Sequence, residues 1–316
     1  MAHTIFIDGK DGTTGLRIFD RLSARPDVTV ITLDEARRKD PDARRGCIHA
    51  ADIAILCLPD AAARESVELA RGSNTRILDT STAHRTADGW AYGFPELSAK
   101  HRDNVVNGRF VAVPGCHASG FIALIAPLTA CGLIPCDAQL SCFSLTGYSG
   151  GGKKMIAQYE ANDRDAALDS PRQYGLTQMH KHLPEMQHVC ALAHKPIFAP
   201  VVADFYSGME VTVPLFRSQL RCGEHPLQEI ADALRKHYAD SPVVRVLTGD
   251  DVTALNGFVA SNALSGRDGM ELMVLGNDER IQLTARFDNL GKGSSGAALQ
   301  CLNLMLGANE TEGLNL

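Results

Sequence analysis

The sequence predicts an α/β protein with a Rossmann-type parallel-sheet cofactor domain and a second, α+β domain whose sheet is mixed and mainly antiparallel. Three observations predict it. The N-terminal strand pattern His3–Ile7 runs into the glycine loop Gly9-x-x-Gly12-x-x-Gly15 and then into a helical face of Leu16, Phe19 and Leu22. Strand and helix patterns alternate up to residue 116, the mark of βαβ units on a parallel sheet. Beyond residue 116 the strands lengthen and few helices separate them, which suits a mixed or antiparallel sheet.

The elements follow in order. The β-branched run Val28–Leu33 reads as the second strand, Ala51–Leu58 as the third, ended by Pro59, and Ala61–Arg71 as a helix. Arg76–Asp79 is a fourth strand and Phe110–Val113 a fifth. A helix is expected over Phe121–Cys131. Later strands are expected at Gln139–Thr146, Met209–Phe216, Val243–Leu247, Met270–Leu275 and Ile281–Phe287, with helices at Pro226–Tyr238 and Ser294–Leu306.

Composition narrows the function. The chain has 316 residues, 45% hydrophobic and 22% charged, enough to bury cores in two domains. Its net charge of −6 argues against a nucleic-acid partner, whose footprint is basic. The most apolar stretch, Phe121–Pro135, is too short for a membrane span. The N-terminus shows no signal-peptide pattern, and nine cysteines without a CxxC pair read as cytosolic thiols, so a cytoplasmic protein without a structural metal is expected.

The glycine loop lies between a strand and a helix, where backbone N–H groups can approach a pyrophosphate at the positive end of the helix. Gly9, Gly12, Thr13, Thr14 and Gly15 are the candidate cofactor residues; a ligand-free turn is the other reading. Asp34 and Glu35, about 20 residues on, suit the ribose 2′-hydroxyl of NAD, whereas Arg37, Arg38 and Lys39 suit the 2′-phosphate of NADP. The pattern alone leaves that choice open.

Cys116 follows Val113-Pro-Gly115 and precedes a helix, where the helix field favours a thiolate and nearby N–H groups suit an oxyanion. The other eight cysteines read as ordinary small hydrophobes. His180 and His182 share one face if the chain there is extended, and Glu185 lies three residues on, suited to orienting a ring. A thiolate nucleophile needs an acid/base partner of this kind; a polar surface turn is the alternative. Ser144–Lys154, with Ser149, Gly150 and Lys153, reads as a phosphate cradle or a mobile loop. Asp288–Gly296, with Asn289, Gly291, Lys292 and Gly293, is a second glycine loop suited to cofactor.

Taken together, Gly9–Gly15, Asp79-Thr-Ser-Thr-Ala-His-Arg85, Gly93-Phe-Pro-Glu-Leu97, Pro114–Gly120, His180-Lys-His-Leu-Pro-Glu-Met186 and Asp288–Gly296 resemble the short-form N-acetyl-γ-glutamyl-phosphate reductases of the semialdehyde dehydrogenase superfamily. The motifs run in order along nearly the whole chain. The resemblance implies a cytoplasmic enzyme of arginine biosynthesis that reduces N-acetyl-γ-glutamyl phosphate to the 5-semialdehyde with NADPH, releasing phosphate. It implies Cys116 as nucleophile, forming a thioester, His182 or His180 as acid/base with Glu185 as orienter, Ser81 at the cofactor and Arg85 at the substrate phosphate. It further implies a homo-oligomer, dimer or tetramer. The cofactor domain would comprise residues 1–115 and 293–316, and the catalytic and dimerisation domain 116–292. Gly9-Lys-Asp-Gly12 departs from the small-hydrophobic pair common in long-form members, a matter of contact detail. The rival readings are a reductase of another acyl phosphate, such as aspartyl phosphate, and a non-catalytic dinucleotide sensor.

Overall fold

The computed structural model describes residues 2–316. Two compact units form, Met1–Gly115 with Ser294–Leu314, and Cys116–Gly293 with Asn315–Leu316.

The first unit carries β1 (His3–Asp8), α1 (Thr13–Ser23), β2 (Val28–Ile31), α2 (Pro41–Ala50), β3 (Ile53–Leu56), α3 (Asp60–Leu69), β4 (Arg76–Asp79), β5 (Ala91–Tyr92), α4 (Ala99–Asn107) and β6 (Phe110–Ala112). The strands form one six-stranded sheet in the order β2-β1-β3-β4-β6-β5, and every pairing in it is parallel. Ile5, Ile7, Ile53 and Ile55 on one face, and Phe6, Ala54 and Leu56 on the other, pack into separate apolar layers, as a doubly covered parallel sheet requires. Three elements lie where the periodicity was weak: α2, α4 and the two-residue β5. The caps of both helices are nonetheless local. Asp40 accepts from the Asp42 N–H ahead of Pro41, and Ser98 accepts from the His101 N–H.

At the end of β1, buried Asp8 accepts from Ser66 at 2.8 Å and from Arg44 at 3.2 Å. Burial nevertheless pushes its carboxyl above the usual range.

The second unit carries α5 (Cys116–Ala130), β7 (Ser141–Gly147), α6 (Gly152–Tyr159), β8 (Arg172–Gln173), α7 (Leu183–Val189), β9 (Ile197–Ala203), β10 (Met209–Phe216), α8 (Pro226–His237), β11 (Val244–Val246), α9 (Gly249–Ala254), β12 (Met270–Asn277) and β13 (Arg280–Phe287). Its sheet has the order β11-β12-β13-β10-β7-β9-β8. The β11–β12 and β7–β9 pairs are parallel and the others antiparallel. Apolar on nearly every side, α5 lies buried on β10 and β13 and against α7 and α8.

A π-helical turn at Gly291–Ser295 leads into α10 (Gly296–Leu306), which returns the chain to the first unit beside β4 and α4. Gly293 and the pair Asn315–Leu316, expected in the cofactor domain, belong to the second unit. Asn315 exchanges backbone and carboxylate hydrogen bonds with Asp268, at 2.7 and 2.8 Å, and Gly293 N–H donates to the Asp288 carbonyl.

Candidate active site

In the first unit, Gly9 adopts φ +90°, and a Cβ there would lie 2.4 Å from the Cys57 carbonyl oxygen. A Cβ on Gly15 would lie 2.5 Å from the Gly9 oxygen. The fold itself demands both glycines. Gly12 is different: its φ is −72° and the nearest atom to a Cβ is 3.6 Å away. Glycine at this helix cap is what the close approach of a ligand requires, and the loop fits a dinucleotide pyrophosphate. Thr13 and Thr14 open α1, and Thr14 Oγ1 lies 3.0 Å from Ser294 Oγ.

The basic run after β2 is a turn, with the Arg37 and Arg38 N–H groups donating to the Asp34 carbonyl. Arg38 bridges Asp11 of the glycine loop at 2.9 Å and Glu35 at 3.1 Å. Ser81 donates to Asp79 at 2.8 Å, and Asp79 also meets the ring of His84 at 2.6 Å. Arg85, expected at a substrate phosphate, donates from Nε to the Val113 carbonyl and from Nη2 to that of Thr80. It braces the segment that enters Pro114-Gly-Cys116.

In the second unit, Cys116 is the first residue of α5 and half-buried. The helix starts here rather than at Phe121, because Pro114 and Gly115 end the extended segment and the run His117–Ile125 that follows is buried throughout. His117 is buried behind Cys116. Its Nδ1 lies 2.7 Å from Ser144 Oγ on β7, and its Nε2 lies 2.6 Å from the Tyr174 hydroxyl. Around it stand His180, His182 and Phe198, with ring centroids 5.6, 5.5 and 5.3 Å away.

His180 and His182 do not lie along an extended strand. The chain turns between them, so that the His182 N–H donates to His180 Nδ1 at 3.2 Å and the rings meet edge-on at 4.8 Å. His182 caps α7, and Glu185 is buried in its first turn. Burial, with the Lys181 charge, holds His180 down to about 4. Burial, with His180 and Lys181, holds His117 down to about 3. Both rings are neutral around neutral pH. Tyr174 is shifted the other way: burial, and then the charge of a Cys116 thiolate, push its hydroxyl well above 10, so it remains a proton donor.

Ser144–Lys154 is not a single loop. Ser144 to Gly147 belong to β7, and α6 begins at Gly152. The Ser149 hydroxyl is buried and accepts from Asn289 at 3.0 Å, while Gly150 and Lys153 are exposed. Asn289, expected at the cofactor, has both ends of its amide occupied, since its oxygen accepts the Gly208 N–H at 2.9 Å. Gly291 is excluded from bearing a side chain by the Arg267 carbonyl, 2.0 Å from where a Cβ would sit, and Lys292 is buried.

Sequence reasoning passed over His117, Ser144, Tyr174 and Arg172. Arg172 pairs with Val202 across the β8–β9 ladder. Its Nη2 donates to the Tyr159 hydroxyl at 3.0 Å, and its Nε is buried with no hydrogen-bond partner. The alternation Arg172-Gln-Tyr174 was the signal that two polar side chains share a face.

Comparison with known proteins decides the family. A profile described as semialdehyde dehydrogenase, NAD binding domain, matches residues 4–105, and one described as semialdehyde dehydrogenase, dimerisation domain, matches residues 116–289. Proteins of Brucella ovis and Brucella canis named N-acetyl-gamma-glutamyl-phosphate reductase are each 48% identical over 97% of this chain and 100% of their own length. The chain belongs to the N-acetyl-γ-glutamyl-phosphate reductase family. It is an oxidoreductase built on an NAD(P)-binding Rossmann unit.

The fold is shared more widely. Aspartate semialdehyde dehydrogenase II of Vibrio cholerae superposes with a TM-score of 0.73 at 14% identity, over 97% of this chain and 99% of that one. The Candida albicans aspartate semialdehyde dehydrogenase, solved with NADP, gives 0.67 at 15% identity, over 98% and 99%. No described helix is long and apolar enough to cross a membrane, and no cluster of metal-ligating side chains occurs among the described residues.

Proposed function

We propose that the enzyme reduces N-acetyl-γ-glutamyl phosphate to N-acetylglutamate 5-semialdehyde with NADPH, releasing phosphate through a thioester on Cys116. The observation that carries this reading is the placement of Cys116 at the start of α5 beside a cluster of three histidines and a tyrosine. The names of the Brucella relatives supply the substrate.

The Cys116 thiolate attacks the acyl carbon of the acyl phosphate. The N–H groups in the first turn of α5 favour the oxyanion that forms, and phosphate leaves as the thioester closes. When bound, NADPH supplies the hydride that converts this thioester to the aldehyde and returns the thiolate. His182, buried and anchored at the cap of α7, supplies and removes protons at the reacting oxygen, and His180 fixes its position through the bond from the His182 N–H. Arg172 carries a charge with no carboxylate beside it. Its buried Nε suits the α-carboxylate of an N-acylglutamyl substrate.

Cofactor is held by Gly9–Gly15 at the N-terminus of α1, with Arg38 at the 2′-phosphate of NADP. The enzyme works in the cytoplasm as a homo-oligomer. Phe143, Phe216 and Ile197, 44%, 64% and 69% exposed, lie on one face of the second sheet by its register and suit burial against a second copy.

The test is the reverse reaction. Purified enzyme with N-acetylglutamate semialdehyde, phosphate and NADP should form NADPH, and Cys116→Ser should abolish it while cofactor binding persists. Turnover with aspartate semialdehyde instead would move the substrate assignment. Undiminished turnover by Cys116→Ser would end the thioester mechanism, whereas no turnover of either semialdehyde by the wild type would favour the dinucleotide-sensor reading.

A further inference from the structure

Three side chains distant in sequence form one hydrogen-bonded line, Ser144 Oγ, then His117 Nδ1 and Nε2, then the Tyr174 hydroxyl, at 2.7 and 2.6 Å, and the Tyr174 end lies close enough to Cys116 to feel its charge. The direction in which the protons run along this line is decided by counting donors. Neutral imidazole has one N–H and one lone pair, so only two arrangements exist.

In the first, Tyr174 donates to Nε2 and the Nδ1–H donates to Ser144. The Ser144 hydroxyl, with a side chain of 0% exposure, then keeps a proton that meets no acceptor, because His117 is its hydrogen-bond partner. In the second, Ser144 donates to Nδ1 and the Nε2–H donates to the Tyr174 oxygen. Every buried donor is then satisfied, and the proton left over is that of Tyr174, at the half-buried end of the line. An unmet buried donor loses its bond to water and gains none in return, which is enough to select the second arrangement.

We propose that Ser144 and His117 are positioning residues that hold the Tyr174 hydroxyl as a hydrogen-bond donor to the Cys116 sulfur. The inference rests on Cys116 being the nucleophile. It assigns Tyr174 a contact to the reacting atom and the other two residues an indirect part. His117 directly follows Cys116 in the first turn of α5, so the tyrosine hydroxyl fixed on its ring is brought to the same end of the helix. The groups facing the line are His180 and His182, each within 6 Å of His117 by ring centroid, and Lys181 between them. The effect of Tyr174 as donor is to stabilise thiolate over thiol and so to lower the pH at which Cys116 becomes reactive.

Two measurements test it. The first is the ¹⁵N spectrum of histidine-labelled wild-type enzyme near neutral pH, with His117 assigned by comparison with His117→Gln. The His117 ring is expected to carry its proton on Nε2; a proton on Nδ1 overturns the proposal.

The second is alkylation of Cys116 by iodoacetamide across pH, read site by site, in Tyr174→Phe alongside wild type. The midpoint of reactivity is expected to rise by about one pH unit or more, and kcat to fall about 10- to 100-fold with KM little changed. A Tyr174→Phe enzyme whose midpoint and kcat match wild type overturns the proposal, since packing alone survives loss of the hydroxyl. Ser144→Ala, should Tyr174→Phe not fold, is expected to move the midpoint in the same direction by a smaller step, and no movement counts against the line. Failure of the nucleophile reading looks different: Cys116→Ser would then retain turnover, whatever Tyr174→Phe does.

Discussion

Gly293 faces Cys116 so closely that a methyl group at 293 would lie 3.0 Å from the Cys116 Cβ, with the Asp288 carbonyl and the Phe287 ring at 3.2 Å on its other sides. Cys116 is thus backed by a glycine from the far end of the second unit, and both stand at the ends of that unit's main stretch of chain.

Gly293→Ala should therefore move Cys116 rather than merely fill space. Overpacking of this kind costs about 1–3 kcal/mol, and a displacement of the sulfur by a few tenths of an ångström should lower kcat more than it raises KM. Thermal melting and steady-state kinetics on the same preparation check this; unchanged kcat would show that the nucleophile tolerates the shift.

The three glycines of the cofactor loop should separate in mutagenesis. Gly12→Ala should fold with stability within about 0.5 kcal/mol of wild type, because its Cβ meets nothing closer than 3.6 Å, yet weaken cofactor binding about tenfold or more. Gly15→Ala, whose Cβ would press on the Gly9 carbonyl at 2.5 Å, should destabilise the fold itself. Urea denaturation beside a cofactor titration distinguishes the two, and a stable Gly12→Ala with full affinity would remove Gly12 from the binding site.

Arg38 is held by two exposed carboxylates, Asp11 and Glu35. Exposed ion pairs contribute about 0–1 kcal/mol, so a 2′-phosphate can displace them at little expense. The enzyme should prefer NADP over NAD by at least about tenfold in kcat/KM, or ~1.4 kcal/mol, and Arg38→Ala should bring the ratio towards one by weakening NADP alone. Equal kcat/KM values for the two cofactors in the wild type would refute this.

His182→Asn should lower kcat by roughly 10²- to 10⁴-fold with cofactor affinity unchanged. His180→Asn should be milder, since the His180 Nδ1 accepts from the His182 backbone N–H. The reverse order of severity would exchange the two roles.

Acid should unfold the enzyme partly through His117. Its folded value of about 3 lies below the unfolded 6.5. Between those values the unfolded chain binds a proton that the folded chain refuses. Stability is therefore complete above about pH 6.5 and falls as pH drops towards 3, by up to about 1.4 kcal/mol per pH unit for this one ring. Denaturation of wild type and His117→Gln at pH 7 and pH 4.5 should show a shallower acid loss in the variant; parallel losses would place the acid sensitivity elsewhere.

By itself the sequence determined what neighbours along the chain decide. The Gly9–Gly15 turn and the Pro-Gly ahead of Cys116 are short-range patterns whose backbone and capping demands act within a few residues, and most of the alternation of strands and helices follows from hydrophobic period. Tertiary structure decided the partners. Ser144 meets His117 because β7 turns that residue towards α5 rather than away, and a one-residue slip of register would reverse it. Tyr174 reaches the same ring from 57 positions away, and Asn289 donates to Ser149 from 140 away. Periodicity tells which face a side chain occupies. What stands opposite depends on strand order and register, which are set by the burial of the whole unit and leave no mark at the residue itself.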